Sequence, residues 1–307
     1  MNKSRSGLAK ALLILFASVC VGGDSVGATP QQSSDAGPLR IALVGIKQAA
    51  IGQAVLDSMD QDKRLKIIDS ALVNPVLKGF GYDGSINMST EEARRLGSAI
   101  GCDFFVLGKT ESVTRSTSGG ESHQEAYAGI MIVDARTGRL ALFDFAVETD
   151  VSGEAALARL ARSIEKRAAN YADQLARYRA ESLAVRNPSA ATAEAIEDIP
   201  DASSPRAAGF QPPEFLNRVK PEYTSEAELA DITATVEASV VFRSSGAVGN
   251  IEILKWAGFG LDQSAEQAIR QLKFKPATRD KKPISVRATV RYNFRRVAEP
   301  TVNPTQP

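Results

Sequence analysis

"ITATVEASVVF", residues 232–242, and "ISVRATVRYNF", residues 284–294, decide the fold of the C-terminal part of this chain. In the first, Ile232, Ala234, Val236, Ala238, Val240 and Phe242 alternate with Thr233, Thr235, Glu237 and Ser239. In the second, Ile284, Val286, Ala288, Val290, Tyr292 and Phe294 alternate with Ser285, Arg287, Thr289, Arg291 and Asn293. A two-residue period puts one set on each face of a pleated strand, so both predict half-buried antiparallel strands with one wet face. "SSGAVG" (244–249) turns the first into a second strand, "NIEILKW" (250–256). A helix follows, with Asp262 expected as its N-cap and Leu261, Ala265, Ala268, Ile269 and Leu272 on one stripe. The order is ββαβ over residues 214–296: a three-stranded sheet with a helix on its apolar face.

Upstream, the pattern is that of a second, mixed α/β sheet domain over residues 38–183. "PLRIALVGI" (38–46) is an apolar strand, and residues 47–61 carry Ile51, Val55 and Met59 at helical spacing. "RLKIIDS" (64–70) predicts another strand, with Asp69 or Ser70 capping a short helix. "STEEARRLGSAIG" (89–101) opens on a capping box, Ser89 or Thr90 with Glu92, and closes at Gly101. "CDFFVLGKTES" (102–112) is a continuous apolar run, as in the middle of a covered sheet. Residues 125–150 predict a hairpin about "DARTG", and residues 153–183 one long helix. The fold class is therefore α+β in two domains.

Residues 187–213 are rich in Ala, Ser and Pro without apolar periodicity and are expected to form a linker; residues 297–307 form a Pro-bearing tail. At the N-terminus Lys3, Arg5 and Lys10 precede the apolar run "ALLILFASVCV" (11–21), and Val26 and Ala28 stand before Thr29 as at a cleavage site. Residues 1–28 thus predict a signal peptide, with a retained inner-membrane anchor as the alternative. Either reading places the rest of the chain in the periplasm. Cys102 is then the one mature cysteine, which excludes an internal disulfide and predicts a buried small hydrophobe.

The formal net charge of +1 over 307 residues gives no global argument for a nucleic-acid partner. Catalytic chemistry finds no foothold. His123 is the single histidine and is expected in a solvated loop, so neither a histidine-based metal site nor a Ser/His triad can be assembled. No C-x-x-C, G-x-S-x-G or phosphate-loop pattern occurs. "GFGYDG" (79–84) predicts a turn, and Trp256 a core residue. The expectation is a non-enzyme with no catalytic, cofactor or metal residues.

Residues 218–294 resemble the TonB C-terminal domain family. The motifs that carry this are Pro221 and Tyr223, Gly246, Leu261 and Asp262, Ala265 and Ala268, Phe274 with Pro276 and Ala277, and Pro283. Thr224 stands where that family usually has Pro, and the long Pro/Lys spacer of such transducers is missing. The resemblance implies a protein partner in the cell envelope, an extended peptide of an outer-membrane receptor, paired with the final strand. Its expected contacts are Val219, Lys220, Pro221, Tyr223, Ile284, Val286, Arg287, Val290, Arg291 and Tyr292. Lys273, Lys275, Arg279, Lys281, Lys282, Arg295 and Arg296 add a basic rim. Energy transduction to outer-membrane transport is one implied role; envelope assembly, sensing or self-association as a homodimer is the other. Residues 38–183 are more distantly similar to CsgG and TolB-N-terminal periplasmic domains, through "IALVGI", "RLKIIDS", "STEEARRLGSAIGCDFFVLGKTES" and "IVDARTGRL".

Overall fold

The computed structural model describes residues 37–116, 122–184, 195–201 and 203–296. The expected export segment, the first part of the linker and the tail lie outside these residues. The front part runs β1 (Leu39–Gly45), α1 (Ala49–Asp60), β2 (Leu65–Ile67), α2 (Ser70–Phe80), α3 (Thr90–Ile100), β3 (Phe104–Ser116), β4 (Ser122–Asp134), β5 (Leu140–Asp150), α4 (Gly153–Ala168) and α5 (Tyr171–Ala184). Its sheet has the order β2-β1-β3-β4-β5, with β2, β1 and β3 parallel and β3, β4 and β5 antiparallel. The apolar run of β3 is at the centre, as its lack of alternation demands.

Both faces are covered. Ile51, Val55 and Met59 of α1 and Leu160 and Ile164 of α4 pack on Phe104, Val106, Ile130 and Ile132. On the other face Phe105, Leu107, Tyr127, Met131 and Val133 meet α2 and α3. The Ser89–Glu92 capping box forms as expected, and Gly101 ends α3 in the left-handed conformation that glycine adopts freely. Cys102 is half-buried against the same core, and burial pushes its thiol up to about 12.

Two expectations change here. The long helix breaks after Ala168, which turns Tyr171 into the core, where its hydroxyl donates to Asp144 Oδ2 at 2.7 Å. His123 is a half-buried residue of β4 opposite Arg115, because the β3–β4 ladder runs further than its polar sequence suggests.

The C-terminal part runs β6 (Ile196–Asp198), a 3-10 turn (Pro205–Ala207), β7 (Phe210–Gln211), β8 (Glu214–Phe215), α6 (Ser225–Leu229), β9 (Ala234–Phe242), β10 (Val248–Lys255), α7 (Leu261–Arg270), β11 (Phe274–Lys275), β12 (Ala277–Arg279) and β13 (Lys282–Phe294). The expected ββαβ unit is β9, β10, α7 and β13. Its sheet is wider than three strands: the order is β10-β9-β13-β12-β7, and β6 pairs with β13. The supposed linker supplies β6 and β7. Gly260, at φ +71°, takes the N-cap position of α7 in place of Asp262. The Asp262 carboxylate instead accepts the Ala257 and Gly258 N–H groups at 2.9 and 2.8 Å and so folds the loop before the helix.

That loop joins the two sheets through one core. Trp256, Phe259 and Leu261 are buried with Phe105, Tyr127 and Met131 of the front sheet. The Trp256 indole donates to Gly138 O at 3.0 Å. Asn87 spans the seam, donating to the Thr235 and Trp256 carbonyls at 3.0 and 2.6 Å and accepting the Thr235 N–H at 3.0 Å. Trp256 is a core residue, as expected.

Candidate partner-docking edge

One side of β13 is fully engaged: Val286 to Phe294 pair antiparallel with β9. β12 pairs with Lys282–Ile284 through a tight hairpin, and β6 runs parallel to Ser285–Arg287 on the side away from β9. From Ala288 to Phe294 no described strand pairs with the outer side. The final strand, expected to be an edge throughout, is therefore an edge only over its C-terminal half. Pro200 accounts for the boundary, because it follows β6 and Ile199 and has no N–H with which to continue the ladder.

Beside the bare half lies an apolar trough of about 690 Å3. Ala288, Val290 and Tyr292 of β13 form one wall, Phe242 and Leu272 the floor, and Pro212, Pro213, Phe215 and Val219 the other wall. The far wall is braced. β8 pairs with β11, and the Phe215 ring meets those of Phe242 and Phe274 with centroids at 5.3 and 6.3 Å. Asn217 donates to Gln271 O at 3.0 Å and accepts the Lys273 N–H at 2.7 Å, tying the wall to the end of α7. Large apolar side chains left open to solvent line the trough or stand within a few residues of its lining: Ile199 and Phe215 are 40 and 47% exposed, and Ile196 and Leu216 41 and 58%. Such clustering, rather than any one exposed side chain, marks an interaction surface.

Of the expected contacts, the structure brings Val219, Val290 and Tyr292 together in the trough. Burial raises the Tyr292 pKa. Ile284 lies beside β12, and Val286 is wholly buried beneath the sheet. Arg287 and Arg291 are exposed, paired with Asp198 at 3.3 Å and Glu237 at 2.8 Å. Lys220 is exposed and Pro221 half-buried; neither lines the trough. Tyr223 packs on the shared core, and its hydroxyl lies 3.1 Å from Ala227 O and 2.8 Å from Ile232 O, holding the turn about α6. Burial raises its pKa too.

The basic rim is also neutralised in part. Lys275 pairs with Glu214 at 2.9 Å, and Arg279 with Glu197 at 2.7 Å. Phe215, Phe242 and Leu272 line the trough but were not among the expected contacts. Phe242 and Leu272 were expected only as core positions of a strand and a helix, and Phe215 follows a Pro-Pro pair outside any periodic element.

A second hollow, of about 390 Å3, lies at the seam between Arg139 and Leu140 and the β10–α7 unit. It offers no free polar group of strong character: Asp262 has both oxygens on backbone N–H groups, and Arg139 is paired with Glu252. Among the described residues no group of three His, Cys, Asp or Glu could hold a metal ion, and no helix is long and apolar enough to cross a membrane.

Comparison with known proteins places these features. The chain resembles three solved structures in part. It is 13% identical to the hypothetical protein CT253 of Chlamydia trachomatis, over 44% of this chain and 97% of that one, with a TM-score of 0.30. It is 17% identical to the lipoprotein GNA1162 of Neisseria meningitidis, over 43% and 99%, also at 0.30. It is 21% identical to the TonB C-terminal domain of Pseudomonas aeruginosa, over 29% and 89%, at 0.25. No curated protein matches the chain significantly. The likeness of residues 38–183 to the CsgG and TolB-N-terminal type finds no support in these comparisons. Residues 219–295 match the family model of the Gram-negative bacterial TonB protein C-terminal domain, and the chain thus carries a TonB-like C-terminal domain behind a separate mixed sheet.

Proposed function

We propose that this chain is an exported, periplasmic envelope protein that docks a protein partner by strand addition, without catalysis. The observation that carries this is the outer side of β13 from Ala288 to Phe294, which pairs with no described strand and whose Ala288, Val290 and Tyr292 line an apolar trough. Unpaired backbone groups give an extended segment its ladder, and pockets beneath alternate side chains give it specificity. The TonB-type match over residues 219–295 supports a periplasmic setting and a protein partner.

Docking is favoured over the transmission of force to an outer-membrane transporter. The TonB-like domain shares a buried core with the front sheet through Trp256, Phe259 and Asn87, and it lacks the long spacer expected of a transducer. Assembly or sensing in the envelope fits such a fixed platform.

Successive strand residues point their N–H groups to opposite sides. Of Thr289→Pro and Val290→Pro, one therefore removes a donor from the β9 ladder and the other from the outer edge. The variant that keeps its circular dichroism and melting temperature should lose the adduct formed in the envelope by a photocrosslinker at residue 216. An unchanged adduct in that folded variant rules the edge out.

A further inference from the structure

β6 is part of the chain and yet occupies the site as a ligand would. Its three residues run parallel to β13, pairing Ile196 with Ser285, Glu197 with Val286 and Asp198 with Arg287. Two arginines hold its acids: Arg279 Nη2 lies 2.7 Å from Glu197 Oε2, and Arg287 Nη1 lies 3.3 Å from Asp198 Oδ1. Ile196 and Ile199, flanking the pair, remain 41 and 40% exposed. We propose that β6 is a displaceable internal strand, and that the partner segment which replaces it is an extended acidic peptide whose carboxylates take over Arg279 and Arg287. This rests on the edge-docking reading and specifies the chemistry of its partner.

Three features argue that β6 can leave. The ladder is only three residues long, and Pro200 stops it from growing. The Arg287–Asp198 pair is exposed and the Arg279–Glu197 pair only partly buried, so each contributes little against the entropy of holding long side chains in place. The remaining seven residues of the outer side, from Ala288 to Phe294, pair with no described strand, so a longer strand that starts in the β6 position gains ladder and trough contacts that β6 cannot make. Two features argue for the acidic character. Leaving removes the carboxylates paired with the Arg279 and Arg287 guanidinium groups, and Arg279 is then left with the Arg206 and Ala208 carbonyls and the nearby charge of Asp280. Only a strand that restores negative charge at those positions competes without loss. Parallel direction follows from the register, because an antiparallel strand would place its acids differently against Arg279 and Arg287.

The test uses the full chain and a fluorescent synthetic peptide of residues 193–199, Ala-Glu-Ala-Ile-Glu-Asp-Ile, read by anisotropy. Glu197→Lys with Asp198→Lys should free the edge, since both side chains then face arginines of like charge. The peptide should bind this variant about tenfold more tightly than the parent chain, the range that two such pairs can supply. A peptide with Lys at the positions of Glu197 and Asp198 should bind at least tenfold more weakly than the acidic one. Glu197→Gln with Asp198→Asn serves as the milder opening variant if circular dichroism shows the Lys variant to be altered, and should give a smaller gain of the same sign. Equal binding to parent and opened chains, no binding to either, or equal binding of the acidic and Lys peptides each overturns the inference. None of these touches the proline test at Thr289 and Val290, so edge docking can survive the loss of this proposal.

Discussion

The ring of Phe259 rests on the backbone of Gly129: a Cβ built on that glycine would meet the ring at 2.7 Å. Gly129 lies in β4 of the front sheet and Phe259 in the loop between β10 and α7, and Phe143 and Phe145 complete the contact at centroid distances of 5.0 and 5.8 Å. Phe259 sits at φ +52°, a costly conformation for a bulky residue, held by complete burial and by the Thr224 hydroxyl on its carbonyl. Gly129→Ala should cost about 1–3 kcal/mol by overpacking. Because the contact joins both sheets, far-UV circular dichroism and Trp256 fluorescence should report the same lowered melting temperature. A loss confined to one signal would show that the sheets unfold independently.

Asp262 should make stability depend on pH in the sense opposite to most carboxylates. Burial pushes its carboxyl from 3.8 up to about 6, against the two backbone N–H bonds that favour the ionised form. The native protein then holds this proton more tightly than the unfolded chain does. The contribution is full below about pH 4, declines as pH rises to about 6, and is flat beyond; the whole span amounts to about 3 kcal/mol at most. Asp262→Asn removes the titration. Urea unfolding at pH 4, 5, 6 and 7 should show the parent losing stability relative to the Asn variant between pH 4 and 6. A parent that gains stability relative to it over that interval contradicts the assignment.

Phe215 and Phe242 share an edge-on contact but should separate binding from stability. Phe242 is fully buried, so Phe242→Ala should cost about 3–5 kcal/mol. Phe215 is half-open at the trough wall, and Phe215→Ser should cost only about 1–2 kcal/mol of stability. Partner affinity should nonetheless fall at least about tenfold, as for an aromatic anchor at the centre of an interface. Titration of the captured partner against each folded variant checks this. Unaltered affinity for Phe215→Ser would remove the trough from the site.

What the sequence showed of this fold follows from the range of the forces involved. Alternation in residues 232–242 and 284–294, the Ser89 capping box and the Leu261–Ile269 stripe are local, and each forms the element it predicts. The seam between the sheets was not readable. Asn87 looks like an ordinary polar loop residue until Thr235 and Trp256 come within its reach from about 150 residues away. β6 and β7 were hidden for a related reason: two- and three-residue strands have too few positions to show a period, and ladder pairing with β12 and β13 sets their conformation. The candidate site lay half within view. The final strand was identified, while Phe215 and Leu216 drew no attention outside a periodic element.

The two tyrosines expected as partner contacts should part company. Tyr223 gives its hydroxyl to the turn about α6, within reach of Ile232 O and Ala227 O, and lies on the shared core. Tyr223→Phe leaves those carbonyls without that donor and should cost about 1 kcal/mol of stability, with partner affinity unchanged. Tyr292 is half-buried along the trough wall, on the bare half of β13. Tyr292→Ser should weaken the partner about tenfold or more through lost apolar contact, with a smaller loss of stability than a fully buried aromatic would give. Melting temperature and partner titration on both variants decide the matter. If Tyr223→Phe weakens capture and Tyr292→Ser does not, the docking surface lies on the α6 side of the domain, away from the outer edge of β13.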